Sequence, residues 1–257
     1  MTKRLFFALQ LIASTIYATL AEEATNPVTR IQQFQFEDDY SSSNYGAKGT
    51  QNNIYFKPIY LLPKNRHIPF RQQIRCKFVA GTLPKSKTTV AAFSTEDTQF
   101  YDLFILIDHE KFRFGMGPMG ILPTASKLQA GQGKWQLGPA VGFSYYPIPR
   151  LQLAFLAQNP IAFAGVSKLP HQNTLYFQPF IVYHFMKDGY VLSNAEWTIV
   201  WNRHQIQIPV NIGFGTIVNI GKQKINFEVA AKWMVYQRAT GVNGKFTTQF
   251  SCNFLFE

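Results

Sequence analysis

Apolar and polar residues alternate along most of the chain with a period of two. Ile206, Ile208, Val210, Ile212 and Phe214 alternate with Gln205, Gln207, Pro209, Asn211 and Gly213. Ile225, Phe227, Val229, Ala231, Trp233 and Val235 alternate with Lys224, Asn226, Glu228, Ala230 and Lys232. Upstream, Trp135, Leu137, Val141, Phe143 and Tyr145 alternate with Lys134, Gln136, Gly142 and Ser144. A period of two places successive side chains on opposite faces of a β-strand. The pattern predicts about twelve strands, with ten as the alternative count. They fall near 31–37, 51–62, 66–80, 99–108, 111–122, 134–146, 150–163, 173–186, 189–201, 205–219, 223–236 and 245–256.

Alternation alone does not say which face meets water. In a soluble sandwich the apolar face is buried; in a membrane barrel it meets lipid and the polar face lines the lumen. Three features favour the barrel. Most segments reach the roughly 9–11 residues that a tilted strand needs to cross a bilayer. Aromatic residues sit near segment ends at apolar-phase positions, namely Trp135, Tyr145, Tyr183, Trp197, Trp201 and Trp233, where interfacial girdles form. Connections alternate in length: tight turns at 63–65, 108–110, 147–149, 187–188 and 220–222 are separated by longer segments, including 38–50 and 81–98. This predicts an all-β, up-and-down antiparallel transmembrane β-barrel.

The first residues read differently. Lys3 and Arg4 precede the apolar run Leu5–Ala13, and Thr19-Leu20-Ala21 sets small residues before Glu22-Glu23. That is the layout of a secretory signal peptide cleaved after Ala21. The chain then divides into a signal peptide at 1–21, an N-terminal segment with the first strand and an external loop at 22–50, and the rest of one barrel domain at 51–257. Export fits the outer membrane of a Gram-negative bacterium.

Composition agrees. The 257 residues are 46% hydrophobic and 16% aromatic but only 15% charged, against about a quarter charged in soluble domains. A mean hydropathy of −0.09, with one apolar run of moderate length, excludes a multi-span helical protein. The formal charge of +11 in an exported chain points to anionic lipid, lipopolysaccharide or anionic solutes and away from nucleic acid. Cys76 and Cys252 fall at outward positions on strands that are not neighbours.

The middle of the chain carries more specific motifs: Phe114-Gly-Met-Gly-Pro-Met-Gly-Ile-Leu-Pro-Thr-Ala125, then Gly131-Gln-Gly-Lys-Trp-Gln-Leu-Gly-Pro139, Gln158-Asn159 with Phe163-Ala-Gly165, Gln178-Pro-Phe180 and Asn219-Ile-Gly-Lys-Gln223. In order and spacing these resemble a family of outer-membrane channels associated with meta-pathway phenol degradation, which in bacteria carries the labels "transporter" and "neuromedin U". The resemblance implies an outer-membrane β-barrel that moves small, hydrophobic molecules. The chain departs from the pattern at Ser94-Thr-Glu-Asp97, where a glycine-rich turn is usual, and at Glu257, which follows the last aromatic.

No enzyme signature stands out. The five histidines form no metal-binding or triad spacing, no G-x-S-x-G elbow exists, and the glycines at 115–120 are followed by no helix. No catalytic residue, metal or cofactor is assigned. Function is expected on the polar face, whose basic members include Lys57, Arg71, Arg75, Lys77, Lys111, Arg113, Lys134, Arg150, Lys224 and Lys232. The acids in the same phase are Glu37, Asp102, Asp108, Glu196 and Glu228, with Tyr55, Phe104, Tyr176 and Phe180 also inward. Only Asp102 and Asp108 stand beside the Arg71, Arg75 and Lys77 row, so a surplus of positive charge is expected to attract anions. Phe250, Phe254 and Phe256 on the final strand form an assembly signal of the kind read by barrel-assembly machinery, with periplasmic chaperones as earlier partners. The sequence therefore predicts a passive channel for small anionic or aromatic solutes. The alternatives are a structural, adhesive or host-facing barrel and, remotely, a barrel lipid hydrolase.

Overall fold

A computed structural model describes residues 19–85, 91–239 and 242–256. Fifteen strands form one antiparallel sheet that closes on itself. They are β1 (Gln32–Tyr45), β2 (Gln51–Leu62), β3 (Arg71–Leu83), β4 (Ala92–Thr95), β5 (Thr98–Asp108), β6 (Phe112–Leu122), β7 (Lys134–Ile148), β8 (Leu151–Gln158), β9 (Ile161–Gly165), β10 (Thr174–Tyr183), β11 (Gly189–Ser193), β12 (Trp197–Val200), β13 (Gln205–Ile220), β14 (Gln223–Arg238) and β15 (Asn243–Phe256). A short helix, α1 (Leu20–Thr25), precedes them. Closure comes from β1 pairing with β15, Gln32 opposite Phe256 through Tyr45 opposite Asn243. Among the described residues every long strand thus has two neighbours, and closure leaves the long strands no edge to recruit another chain.

The wall is a twelve-strand barrel with three extra strands. Two predicted strands are each broken in two. Asn159-Pro160 separates β8 from β9, and Asn194-Ala195-Glu196 separates β11 from β12. Proline cannot donate to a ladder, and the second break turns Ala195 and Glu196 toward the interior. β4 is a short addition beside the outer end of β3.

Two other boundaries differ from the pattern. The segment at 38–50 is not one long loop, because β1 runs on to Tyr45 with Asp39 and Ser41 facing inward. Polar inward residues are the rule in this wall, so they do not end a strand. Conversely, residues 66–70 belong to a turn, where the Asn65 side chain accepts from the backbone of His67 and Ile68, both at 2.9 Å.

The outer face is apolar. On β13 Val210, Ile212, Phe214 and Val218 are exposed, while Asn211 and the backbone of Gly213 and Gly215 are buried inside. Aromatic rings run in ladders across neighbouring strands: Phe112, Phe143, Phe155, Phe177 and Trp197 are successive neighbours at 5.5–6.1 Å between centroids. A second group joins Phe256, Phe34, Phe36, Phe56 and Phe78. Of the six predicted girdle residues, Trp135, Tyr145, Tyr183 and Trp233 are exposed on the outer face and Trp197 joins the ladder. Trp201 lies in a single 3-10 turn and donates to Asn159 at 2.8 Å.

Candidate functional site: the barrel lumen

The floor of the lumen is built by the chain before β1. Thr19 caps α1 through a capping box with Glu22. The residues that follow make contacts around the inner circumference, at the end of the barrel with the shorter turns. Thr25 donates to Gln152 on β8 at 2.9 Å. Asn26 donates to Ser144 and Tyr146 on β7, both at 3.1 Å. Gln73 on β3 accepts from the Thr29 backbone and donates to the Pro27 carbonyl.

The strongest tie is electrostatic. The Arg113 guanidinium, wholly buried on β6, grips the Glu23 carboxylate at 2.6 and 2.8 Å and donates to the Val28 carbonyl at 3.1 Å. Such a fork–fork pair fixes orientation as well as distance. Asp108 sits beside it, meeting Arg30 at 2.7 Å and Arg71 at 3.4 Å. Small residues make room for this floor: a Cβ at Gly142 would come within 2.9 Å of the Val28 side chain. The bond predicted for signal-peptide cleavage, Ala21–Glu22, lies inside α1.

Above the floor the lumen divides unequally. Against β5–β8 and β10–β11 it is packed with Leu103, Met119, Leu156, Phe180, Val182 and Leu192. Against β1–β3, β14 and β15 it is open and polar. A cavity of about 130 Å³ there is lined by Glu37, Asp39, Tyr55, Lys57, Arg75, Lys77 and Lys232 among others, and by Glu196 from across the lumen. A smaller chamber of about 70 Å³ lies beneath, between this wall and residues Ala24–Pro27. Glu37, Lys57, Arg75, Gln178 and Asn194 line both spaces and so form the waist between them.

The charges of the cavity are mostly matched. Lys57 pairs with Glu37 at 2.8 Å, Lys232 with Asp39 at 2.6 Å and Lys77 with Glu196 at 3.8 Å. The expected shortage of acids does not hold, because the partners come from β1 and from the β11–β12 break instead of from the adjacent β5. Asp102 belongs to the outer face: inward positions on β5 are Tyr101, Leu103 and Ile105, all buried. Phe104 shares that outward phase, lining an external groove with Leu106 and Met116. Both corrections have one cause, since β5 is apolar on both faces and its sequence does not fix its phase.

The other basic candidates scatter. Lys111 and Arg150 lie exposed in turns, the latter with φ of +73°, and not on the wall. Lys134 is buried at the outer end of β7 and donates to the Val166 carbonyl at 2.7 Å. Lys224 sits near the floor end of β14, paired in register with Leu255. Arg71 and Arg113 belong to the floor. Arg75, Lys77 and Lys232 share the cavity, together with Lys57. Tyr176 and Phe180 face inward as expected. Phe250, Phe254 and Phe256 project outward from β15.

No motif in the sequence marks the floor as part of the site. Its signal is the run Thr25-Asn26-Pro27-Val28-Thr29, polar and proline-broken between α1 and β1. No pattern rule reveals that such a run folds back into a barrel. Ser144 and Ser251 both face the lumen, and among the described residues neither is hydrogen-bonded to a histidine. Ser144 is occupied by Asn26.

No protein-family profile matches the chain, and no curated protein does. Similar solved structures include an outer membrane channel from Pseudomonas putida F1, at 8% identity over 88% of this chain and 94% of that one, TM-score 0.57. The NanC porin matches at 9% identity over 87% and 99%, TM-score 0.55. Outer membrane phospholipase A from Escherichia coli matches at 10% identity over 94% and 99%, TM-score 0.50. At these identities the likeness shows the fold, a barrel of the outer-membrane type, and the last comparison shows that this fold also carries an enzyme.

Proposed function

We propose that the chain is exported, loses residues 1–21 as a signal peptide, and works as a passive outer-membrane channel for small polar solutes. One observation carries this reading: a cavity lined by charged and polar side chains lies inside a closed barrel whose outer face is apolar and aromatic. The resemblance to channels associated with phenol degradation agrees with transport, while the polarity of the cavity favours anionic over purely hydrocarbon cargo. The outward Phe250, Phe254 and Phe256 on the closing strand suit recognition by barrel-assembly machinery after periplasmic chaperones deliver the chain. The exposed apolar belt suits outer-membrane lipid and lipopolysaccharide.

Residues 22–30 obstruct the lower end of the path, so passage requires them to shift. The test is single-channel recording of the refolded mature chain beside a variant lacking residues 22–30. Discrete conductance in the mature chain, larger and steadier in the deletion, is expected. Silence from both, in protein shown to be folded, would reject the channel and leave a structural or host-facing barrel.

A further inference from the structure

The four cations around the upper cavity are not equivalent. Lys57, Lys77 and Lys232 each have a carboxylate within 4 Å. Arg75 has none among the described residues. Its Nη2 donates to the amide oxygen of Gln35 at 2.7 Å and its Nη1 donates more weakly to the Tyr101 hydroxyl at 3.4 Å. A guanidinium carries five N–H donors in a rigid plane, and two of them are used by Gln35 and Tyr101. Gln35 and Tyr101 hold the side chain by neutral contacts that leave its charge uncompensated. The group is therefore oriented in advance, and its entropy cost on binding is reduced.

Position adds to this. Arg75 lines both the cavity and the chamber below it, so a solute that leaves one for the other passes its guanidinium. The charged groups lining the upper cavity are Lys57, Arg75, Lys77 and Lys232 against Glu37, Asp39 and Glu196, which leaves one net positive charge there; the chamber below adds the carboxyl of Glu228, so the excess is confined to the upper cavity. The cavity of about 130 Å³ holds a molecule of a few carbon atoms. Amides from Gln99, Gln158, Gln178 and Asn194 supply donors and acceptors for hydroxyl groups around it.

We propose that Arg75 is a binding station for the carboxylate of a small, singly charged, hydroxylated acid. The planar, bidentate geometry of a carboxylate matches two parallel guanidinium N–H bonds. A single negative charge neutralises the one excess positive charge, and a second would meet Glu37, Asp39 and Glu196. The use of this station in transport rests on the channel reading; its occupancy does not.

Equilibrium binding to folded, detergent-solubilised barrel separates the two. Saturation-transfer NMR with lactate as probe should show binding that weakens at least tenfold in Arg75→Gln. Arg75→Lys, which keeps the charge but loses the fork, should fall between. Lys111→Gln, in an exposed turn, should match the unaltered chain. Methylammonium should not bind. Inorganic phosphate binding as tightly as lactate would overturn the carboxylate assignment in favour of a general oxyanion site. Lactate binding that is absent, or unchanged in Arg75→Gln protein of native electrophoretic mobility, would overturn the station itself. Arg75-dependent binding in a barrel that conducts nothing would leave the station standing and reject the channel.

Discussion

Inward positions on β1, β3 and β15 read Gln33, Gln35, Glu37 and Asp39, then Gln73, Arg75 and Lys77, then Gln249, Ser251 and Asn253; on β5, β8 and β10 they include Leu103 and Ile105, then Ala154 and Leu156, then Phe180 and Val182, with Gln99, Gln152, Gln158 and Gln178 at the ends of these apolar runs. Both sets line the same lumen and both sets of strands turn apolar residues outward. The first wall keeps polar side chains and ion pairs inside. The second packs against the chain before β1 and behaves as the core of a soluble domain would. The barrel is thus half polar lumen and half packed core, with the division running along the strands.

The difference explains what the sequence could disclose. Where the inward face is polar, a period of two is unmistakable, and β13, β14 and β15 lie close to where alternation puts them. Where both faces are apolar, alternation fades and no longer fixes the phase of β5, which is why it sets Asp102 and Phe104 on the wrong face. Ion pairing was illegible for another reason. Glu37 meets Lys57 across adjacent strands, but Asp39 meets Lys232 only because β1 closes on β15 and stands next but one to β14. Such partners are far apart in sequence and follow from closure of the barrel. The floor leaves little trace in the sequence because, beyond the local capping of α1, it is held by partners remote in sequence such as Arg113 and Gln73.

The largest expected effect comes from the base of the packed wall. Arg113→Ala leaves the Glu23 carboxylate buried without its fork, and breaking a buried pair from one side costs about 3–5 kcal/mol. The urea midpoint of the folded barrel should fall accordingly, and protease should gain access to residues 22–30. An unchanged midpoint with the segment still protected would show that the packed wall holds the floor without its charge pair.

Leu103→Ala sharpens the contrast between the walls directly. Leu103 is fully buried, and truncating such a residue costs about 2–5 kcal/mol. Gln249→Ala, on the hydrated wall, should cost under about 1 kcal/mol because water replaces the lost side chain. Equal losses at the two sites, measured by urea unfolding in the same detergent, would mean the lumen is packed throughout.

Acid should act through the packed side as well. His184 follows β10 in the turn before β11; it is 3% exposed, packs on the Tyr190 ring at 5.7 Å, and neither ring nitrogen has a partner. Burial pushes its pKa down from 6.5 to about 4. The unfolded imidazole takes a proton below 6.5 while the folded one does not until about 4. The stability this gives is complete above 6.5 and is lost as pH falls through that window, about 3 kcal/mol in all. His184→Leu should flatten the pH dependence of unfolding between pH 7 and 4. A slope identical to that of the unaltered chain would assign acid sensitivity to other groups.

The smallest effect tests the outer face of the packed wall. Asp102 points outward from β5 beside Ile74, between the Tyr101–Met119 and Phe104–Met116 pairs, and its Oδ1 is buried without a partner. Pro118 stands in the facing stretch of β6 and has no N–H to offer. A lipid-facing acid costs less than a lipid-facing arginine, whose penalty is about 2–4 kcal/mol at the bilayer midplane. Asp102→Leu should therefore stabilise the barrel in lipid vesicles by about 1 kcal/mol, while leaving the cavity and its binding of lactate untouched. Were Asp102 an inward partner of Arg75 or Arg71, the same change would weaken folding and strip a counter-charge from the lumen. The direction of the stability change thus decides the phase of β5, and with it whether the two walls differ as described.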